Sequence, residues 1–174
     1  MESRAKIAGH PIHPMLIVFP LGLLATSVIF DLIAVFGGFP ELHVVSYWMI
    51  LAGVIGGLVA AVPGIIDFLS IPRHTRAWFV GVWHGVGNVV VLLAFALSWF
   101  LRRELPADPG TGPILLSVLA AALAAVTGWL GGELVDRLGV GVDDGAHLDA
   151  PSSLTGRPAN ERPTTAFTRK PVEP

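Results

Sequence analysis

Four long apolar stretches dominate this sequence and limit what it can fold into. They cover about residues 12–36, 44–70, 77–101 and 112–134. A helix needs about 20 apolar residues to cross a bilayer, and each stretch is long enough. Every backbone group in hydrocarbon must be satisfied within the protein, and stretches of this length suit helices better than barrel strands. The sequence therefore predicts an all-α, polytopic membrane protein with four transmembrane helices.

The composition agrees with this fold class. Hydrophobic residues make up 53% of the chain and charged residues only 14%, whereas soluble domains carry roughly 25% charged residues. The apolar part of the first stretch is longer than a signal peptide core and contains Asp31, so we expect a mature helix. Short connections between the stretches favour an up-down antiparallel bundle spanning residues 1–138.

The polar remainder of the chain, residues 139–174, is rich in proline and is predicted to be a disordered tail. Cysteine is absent, which excludes disulfides, iron–sulfur clusters, c-type haem attachment and thiolate metal sites. The net charge of −2 does not indicate a partner, and we expect no nucleic-acid binding.

Lysine and arginine near the helix ends predict the orientation in the membrane. One side carries five of these residues and the other side two. We therefore expect both termini to lie in the cytoplasm. The five are Arg4, Lys6, Arg73, Arg76 and Arg137, and the two are Arg102 and Arg103.

Glycine spacing predicts close helix packing. Three GxxxG pairs, each within one of the last three helices, allow backbones to approach closely. These pairs are Gly53 and Gly57, Gly81 and Gly85, and Gly128 and Gly132. The run 60–64 (AAVPG) also resembles 124–128 (AAVTG), which suggests a repeated two-helix hairpin. Chance explains so short a match nearly as well.

Most side chains that can bind a metal converge at one end of the predicted bundle. In an antiparallel bundle the first and third helices start where the second and fourth end. This end holds His10, His13, Asp67, His84, Asn88 and Glu133. Asp31 lies about 27 Å from His13 along the first helix, so we expect it to stand alone at the opposite end.

Two kinds of centre fit these residues. His13, His84 and Asn88 could bind haem b across the core, although the predicted helix limits put the two histidines at different depths. His10, His13, Asp67, His84 and Glu133 could instead hold a transition metal ion, because imidazole and carboxylate are common metal ligands.

Each of these residues also has a structural interpretation. His10 can be an interfacial residue, Glu133 can pair with Arg137 at the i,i+4 spacing, and Asp67 can pair with an arginine such as Arg73 or Arg76. His43 and His147 lie outside the cluster, and we expect them to have no part in it.

The runs GHPIHPMLIVFPLGLL, PGIIDF and WHGVGN, with an R-x-x-R loop before the last, resemble the bacterial membrane family called domain of unknown function 2231. The likeness covers residues 9–138 and implies a four-helix fold in the bacterial inner membrane. Some longer members continue from a similar LDAPSSLTG run into a Rieske iron–sulfur domain. The resemblance therefore implies membrane redox chemistry with a Rieske-type or other redox protein as partner.

Three functions remain open from the sequence. The first is a haem- or metal-binding redox subunit, and the second is a non-catalytic structural or assembly subunit. The third, which the sequence favours least of these three, is a small ion or proton transporter. Four helices are too few to surround a pore, so this function would need a homodimer. The sequence does not decide whether the protein is an enzyme.

Overall fold

Four long helices form an antiparallel bundle in the computed structural model, which describes residues 1–162. They are α1 (Ile12–Gly37), α2 (Glu41–Phe68), α3 (Arg76–Leu101) and α4 (Thr111–Gly132). A π-helical segment, Glu133–Arg137, continues α4. All four are long and apolar enough to cross a membrane. The predicted fold class is confirmed.

The predicted helix limits differ most at the start of α2, which begins at Glu41 rather than at residue 44. Pro40 has a φ of −59°, which suits the first residues of a helix. A carboxylate in the first turn, that of Glu41, also favours the helix N-terminus. Thr75 is the N-cap of α3, and its hydroxyl accepts a hydrogen bond from the Trp78 backbone N–H at 3.1 Å.

The bundle consists of two hairpins. α1 packs most extensively on α2, and α3 packs on α4, while contacts of α2 with α3 and of α1 with α4 close the bundle. A central apolar layer contains residues from all four helices: Leu24, Val28, Ile50, Val91, Phe95 and Ala120. Large apolar side chains on all four helices, including Phe19, Leu58, Leu93 and Trp129, are more than half exposed. These outward faces suit contact with lipid.

Glycine packing differs from the GxxxG prediction. Gly53 and Gly57 do lie against leucine side chains, at 2.7 and 2.6 Å from the position of an added Cβ. Around Gly85 and Gly128, however, no neighbouring atom of residues 1–162 lies within 4 Å of that position. The predicted close contacts of these two glycines are therefore wrong, because both face outward from the bundle.

A small antiparallel hairpin precedes α1 and was not predicted. It pairs β1 (Lys6–Ile7) with β2 (His10–Pro11) through a turn at Ala8 and Gly9, both of which have positive φ. Two consecutive residues with positive φ are typical of a type I′ hairpin turn. Each strand has only two residues. This is too short for the alternation of polar and apolar residues by which strands are recognised in a sequence.

Part of the tail lies on this hairpin. Ser153, in a 3₁₀ turn at Ser153–Thr155, donates to the Ala8 carbonyl at 3.0 Å. Lys6 bonds to Asp143 and Glu2, and these hydrogen bonds raise the pKa of Lys6 above its ordinary value. Residues 163–174 lie outside the described part of the chain. The predicted disorder of residues 139–174 stays a prediction.

Candidate metal centre

His13 is held against α2 from the first turn of α1. Pro11, in extended backbone, immediately precedes the helix. The His13 Nδ1 lies 2.7 Å from the Ala60 carbonyl oxygen. Because a carbonyl oxygen only accepts, Nδ1 carries the proton, and the neutral ring keeps its lone pair on Nε2. The Gly64 backbone lies beside the ring, so that an added Cβ would stand 2.8 Å from Nδ1.

His84 has a matching environment between α3 and α4. Its Nδ1 lies 2.8 Å from the Thr127 carbonyl oxygen, and an added Cβ at Gly131 would be 3.0 Å from the ring. Asn88 donates to the His84 carbonyl at 2.8 Å and accepts from the Thr127 hydroxyl at 3.1 Å. The Asn88 side chain therefore supports the His84 turn.

The two rings meet inside the bundle. Their centres are 6.3 Å apart and their planes are nearly perpendicular, at 87°. The depth difference expected from the sequence is absent, because α3 starts at Arg76 and extends about two turns beyond the start of α1 at this end. Both rings are half-buried. One ligand could therefore contact both.

The surroundings of His13 and His84 reveal a repeat of the two hairpins. Each ring bonds a carbonyl of the second helix in its hairpin and packs on the glycine four residues later. Ala60 and Thr127 are as far apart in sequence as Gly64 and Gly131. The repeat suggested by residues 60–64 and 124–128 is thus one turn out of register, since Gly131, and not Gly128, corresponds to Gly64.

The predicted acidic ligands have other partners. Asp67 accepts the Ser3 hydroxyl at 2.8 Å and the backbone N–H groups of Arg4 and Ala5 at 2.7 and 3.1 Å. The expected arginine partner of Asp67 is therefore wrong. Asp67 instead binds the N-terminal segment. Composition does not reveal this partner, because two of its three donors are backbone N–H groups.

Glu133 and His10 also lie apart from the ring pair. Glu133 bonds to Arg76 at 2.5 Å, so the predicted pairing with Arg137 is wrong. The π-helical turn moves Glu133 and Arg137 out of the ordinary i,i+4 relation. His10 is exposed, with Nε2 3.3 Å from Ser153. Within residues 1–162, no three His, Asp or Glu side chains are grouped closely enough to hold a metal ion.

The opposite end of the bundle corrects another expectation. Asp31 is fully buried and accepts hydrogen bonds from His43 Nδ1 at 2.8 Å and from Arg102 Nη1 at 3.0 Å. Arg102 also donates to Ser46, Ser98, Ser117 and the Pro113 carbonyl. Asp31 is therefore not alone, and Arg102 and His43 are buried partners. The sequence signal was present, because a buried carboxylate in a membrane helix requires a partner.

Comparison with known proteins identifies the family. The family model described as "Predicted membrane protein (DUF2231)" matches residues 9–144. The chain belongs to this family. Neither the curated proteins nor the solved structures contain a match. The family assignment confirms the resemblance of the GHPIHP and WHGVGN runs, and as a membrane protein this DUF2231 chain contacts the lipid bilayer.

Proposed function

We propose that this DUF2231 protein is a membrane redox subunit that binds one transition-metal centre between His13 and His84. The observation that carries the proposal is the paired orientation of the rings. Each Nδ1 donates to a backbone carbonyl, as metal-binding histidines commonly do with the nitrogen that does not bind the metal. This leaves the His13 Nε2 to bind a metal, while the His84 Nε2 lies 3.4 Å from the Asn88 side-chain nitrogen, beyond the usual length of a hydrogen bond.

The separation of the rings supports a shared centre. Metal–imidazole nitrogen bonds are about 2.0–2.1 Å long for zinc. Rings whose centres are 6.3 Å apart are near enough to bind the same ion. A bare ion would take the two Nε2 atoms as its protein ligands. Haem b, the second form of the proposal, also requires a space as wide as the porphyrin between α1 and α3.

The orientation proposed for the redox subunit places the two histidines at the cytoplasmic face of a bacterial inner membrane. Arg102 is buried against Asp31, so it does not act as a loop charge. One positively charged residue, Arg103, is then counted at the opposite end. Five are counted at the histidine end: Arg4, Lys6, Arg73, Arg76 and Arg137. A Rieske-type or other redox protein would exchange the electron with the metal centre, and a homodimer is a further proposal.

A structural or assembly role is the second candidate. It is favoured by the Asp31–Arg102 cluster, in which Arg102 of α3 bonds side chains of α1, α2 and α4. This cluster ties the helices together without any ligand. The apolar layer around Leu24, Ile50 and Phe95 separates it from the histidines, which argues against a continuous polar path for transport.

The proposal is tested on the full chain in mild detergent, by absorption spectroscopy and metal analysis of the same preparation. We expect about one metal or one haem per chain, and loss of this centre in both His13→Ala and His84→Ala. His74→Ala, in the exposed loop before α3, is the matched control. Full retention of the centre in both variants, or no centre even after reconstitution, would contradict the redox proposal and leave the structural one.

A further inference from the structure

We infer that the metal centre between His13 and His84 selects copper in the cuprous state. This inference rests on the proposed function and names the ion. Its first basis is the number of ligands. The histidine pair supplies two nitrogen atoms, while Asp67 and Glu133 are occupied by Ser3 and Arg76. Zinc in proteins is bound by at least three protein ligands, whereas cuprous copper binds stably to two in a linear arrangement.

The charge of the site is the second basis. Both imidazoles are neutral when Nε2 binds a metal, and within residues 1–162 no Asp or Glu side chain is grouped with them closely enough to share a metal ion. The cost of transferring an ion from water into a medium of low dielectric constant rises with the square of its charge. A monovalent ion is therefore tolerated between the half-buried rings far better than a divalent one.

The chemistry of the donors is the third basis. Imidazole suits copper as well as zinc, iron and nickel, whereas magnesium and calcium require oxygen ligands. The separation of 6.3 Å between the ring centres is compatible with one small ion bound between the two rings. The Ala60 and Thr127 carbonyls hold the rings in this relation without contributing charge.

A competition experiment tests this inference. The full-length protein in detergent is titrated anaerobically with cuprous copper against a cuprous chelator, and separately with zinc and ferrous iron. We expect cuprous copper to bind at about one ion per chain, more tightly than either divalent ion. Replacing His84 by alanine should weaken copper binding by more than about 100-fold, the upper end of what loss of a supporting group causes. His74→Ala should leave it unchanged.

A second variant keeps the test decisive if the alanine variants fold poorly. Thioether sulfur is a soft ligand that selects cuprous copper, so His84→Met should retain copper binding. Binding of zinc, ferrous iron or haem by the same histidines with no preference for cuprous copper would overturn the inference and leave the proposed function intact. If neither any of these ions nor haem binds, the proposed function fails with it.

Discussion

The two polar clusters of this protein occupy corresponding positions at opposite ends of the bundle. His13 and Asp31 lie on α1, His84 lies on α3, and Arg102 directly follows the last residue of α3. His13 and His84 are as far apart in sequence as Asp31 and Arg102. Each cluster therefore links equivalent positions of the two hairpins. The histidine pair lies in the N-terminal part of α1 and α3, and the Asp31–Arg102 pair lies near their C-termini.

The clusters differ in how completely their members satisfy one another. At the Asp31 end a carboxylate and a guanidinium neutralise each other and the serines accept the remaining N–H groups. At the histidine end two identical rings meet edge to face, and each bonds a backbone carbonyl through Nδ1. The Asn88 side-chain nitrogen lies 3.4 Å from the His84 Nε2, too far for a strong bond. The comparison suggests that the first end stabilises the fold and the second end binds a ligand.

The largest effect is expected from Arg102→Met. This change leaves the buried Asp31 carboxylate without its cation, and removing one member of a buried ion pair costs about 3–5 kcal/mol. The thermal unfolding midpoint in detergent should fall strongly, while any metal content stays unchanged. Arg103→Met is the control, because that side chain is half exposed and surface substitutions change stability by about 0.5 kcal/mol or less.

The double variant Asp31→Leu with Arg102→Met refines this test. It removes both charges, so it should unfold at a higher temperature than Arg102→Met alone. Equal unfolding temperatures for the single and double variants would show that the Asp31 carboxylate does not destabilise the protein when Arg102 is replaced. In that case the contrast between the two ends would be lost.

An intermediate effect is expected at the glycines beside the rings. A methyl group at Gly64 or Gly131 would lie 2.8 or 3.0 Å from a ring atom. Gly64→Ala and Gly131→Ala should each displace a ring, lower stability by about 1–3 kcal/mol and weaken metal binding. Binding is measured by titration and stability by thermal unfolding.

Gly128→Ala is the matched control for both glycine variants. It makes the same change on α4, where no neighbour in the described part of the chain lies within 4 Å of the added methyl. Similar metal affinities for Gly131→Ala and Gly128→Ala would mean that the position of the His84 ring does not determine binding. The proposed centre would then have to lie elsewhere.

Much of the fold could be predicted from the sequence, because four spans of apolar residues leave few alternatives in a bilayer. Helix direction alone predicted that His13 and His84 lie at the same end of the bundle, but the sequence placed them at different depths. The partners of Asp67 and Asp31 did not follow. The partners of Asp67 depend on the N-terminal hairpin, and those of Asp31 depend on which side of each helix faces the bundle. A helix that is apolar on all sides does not reveal its inward face in the sequence.

The smallest effect is expected from one hydroxyl at each end. Thr127→Val keeps the side-chain shape but removes the bond to Asn88, and a hydrogen bond between membrane helices contributes on average about 0.6 kcal/mol. Stability should fall by about this amount, and metal affinity should also decrease because Asn88 supports the His84 turn. Ser117→Ala removes hydrogen bonds to Ser98 and Arg102 and should lower stability without changing metal affinity. If both variants change affinity equally, the two ends do not have separate roles.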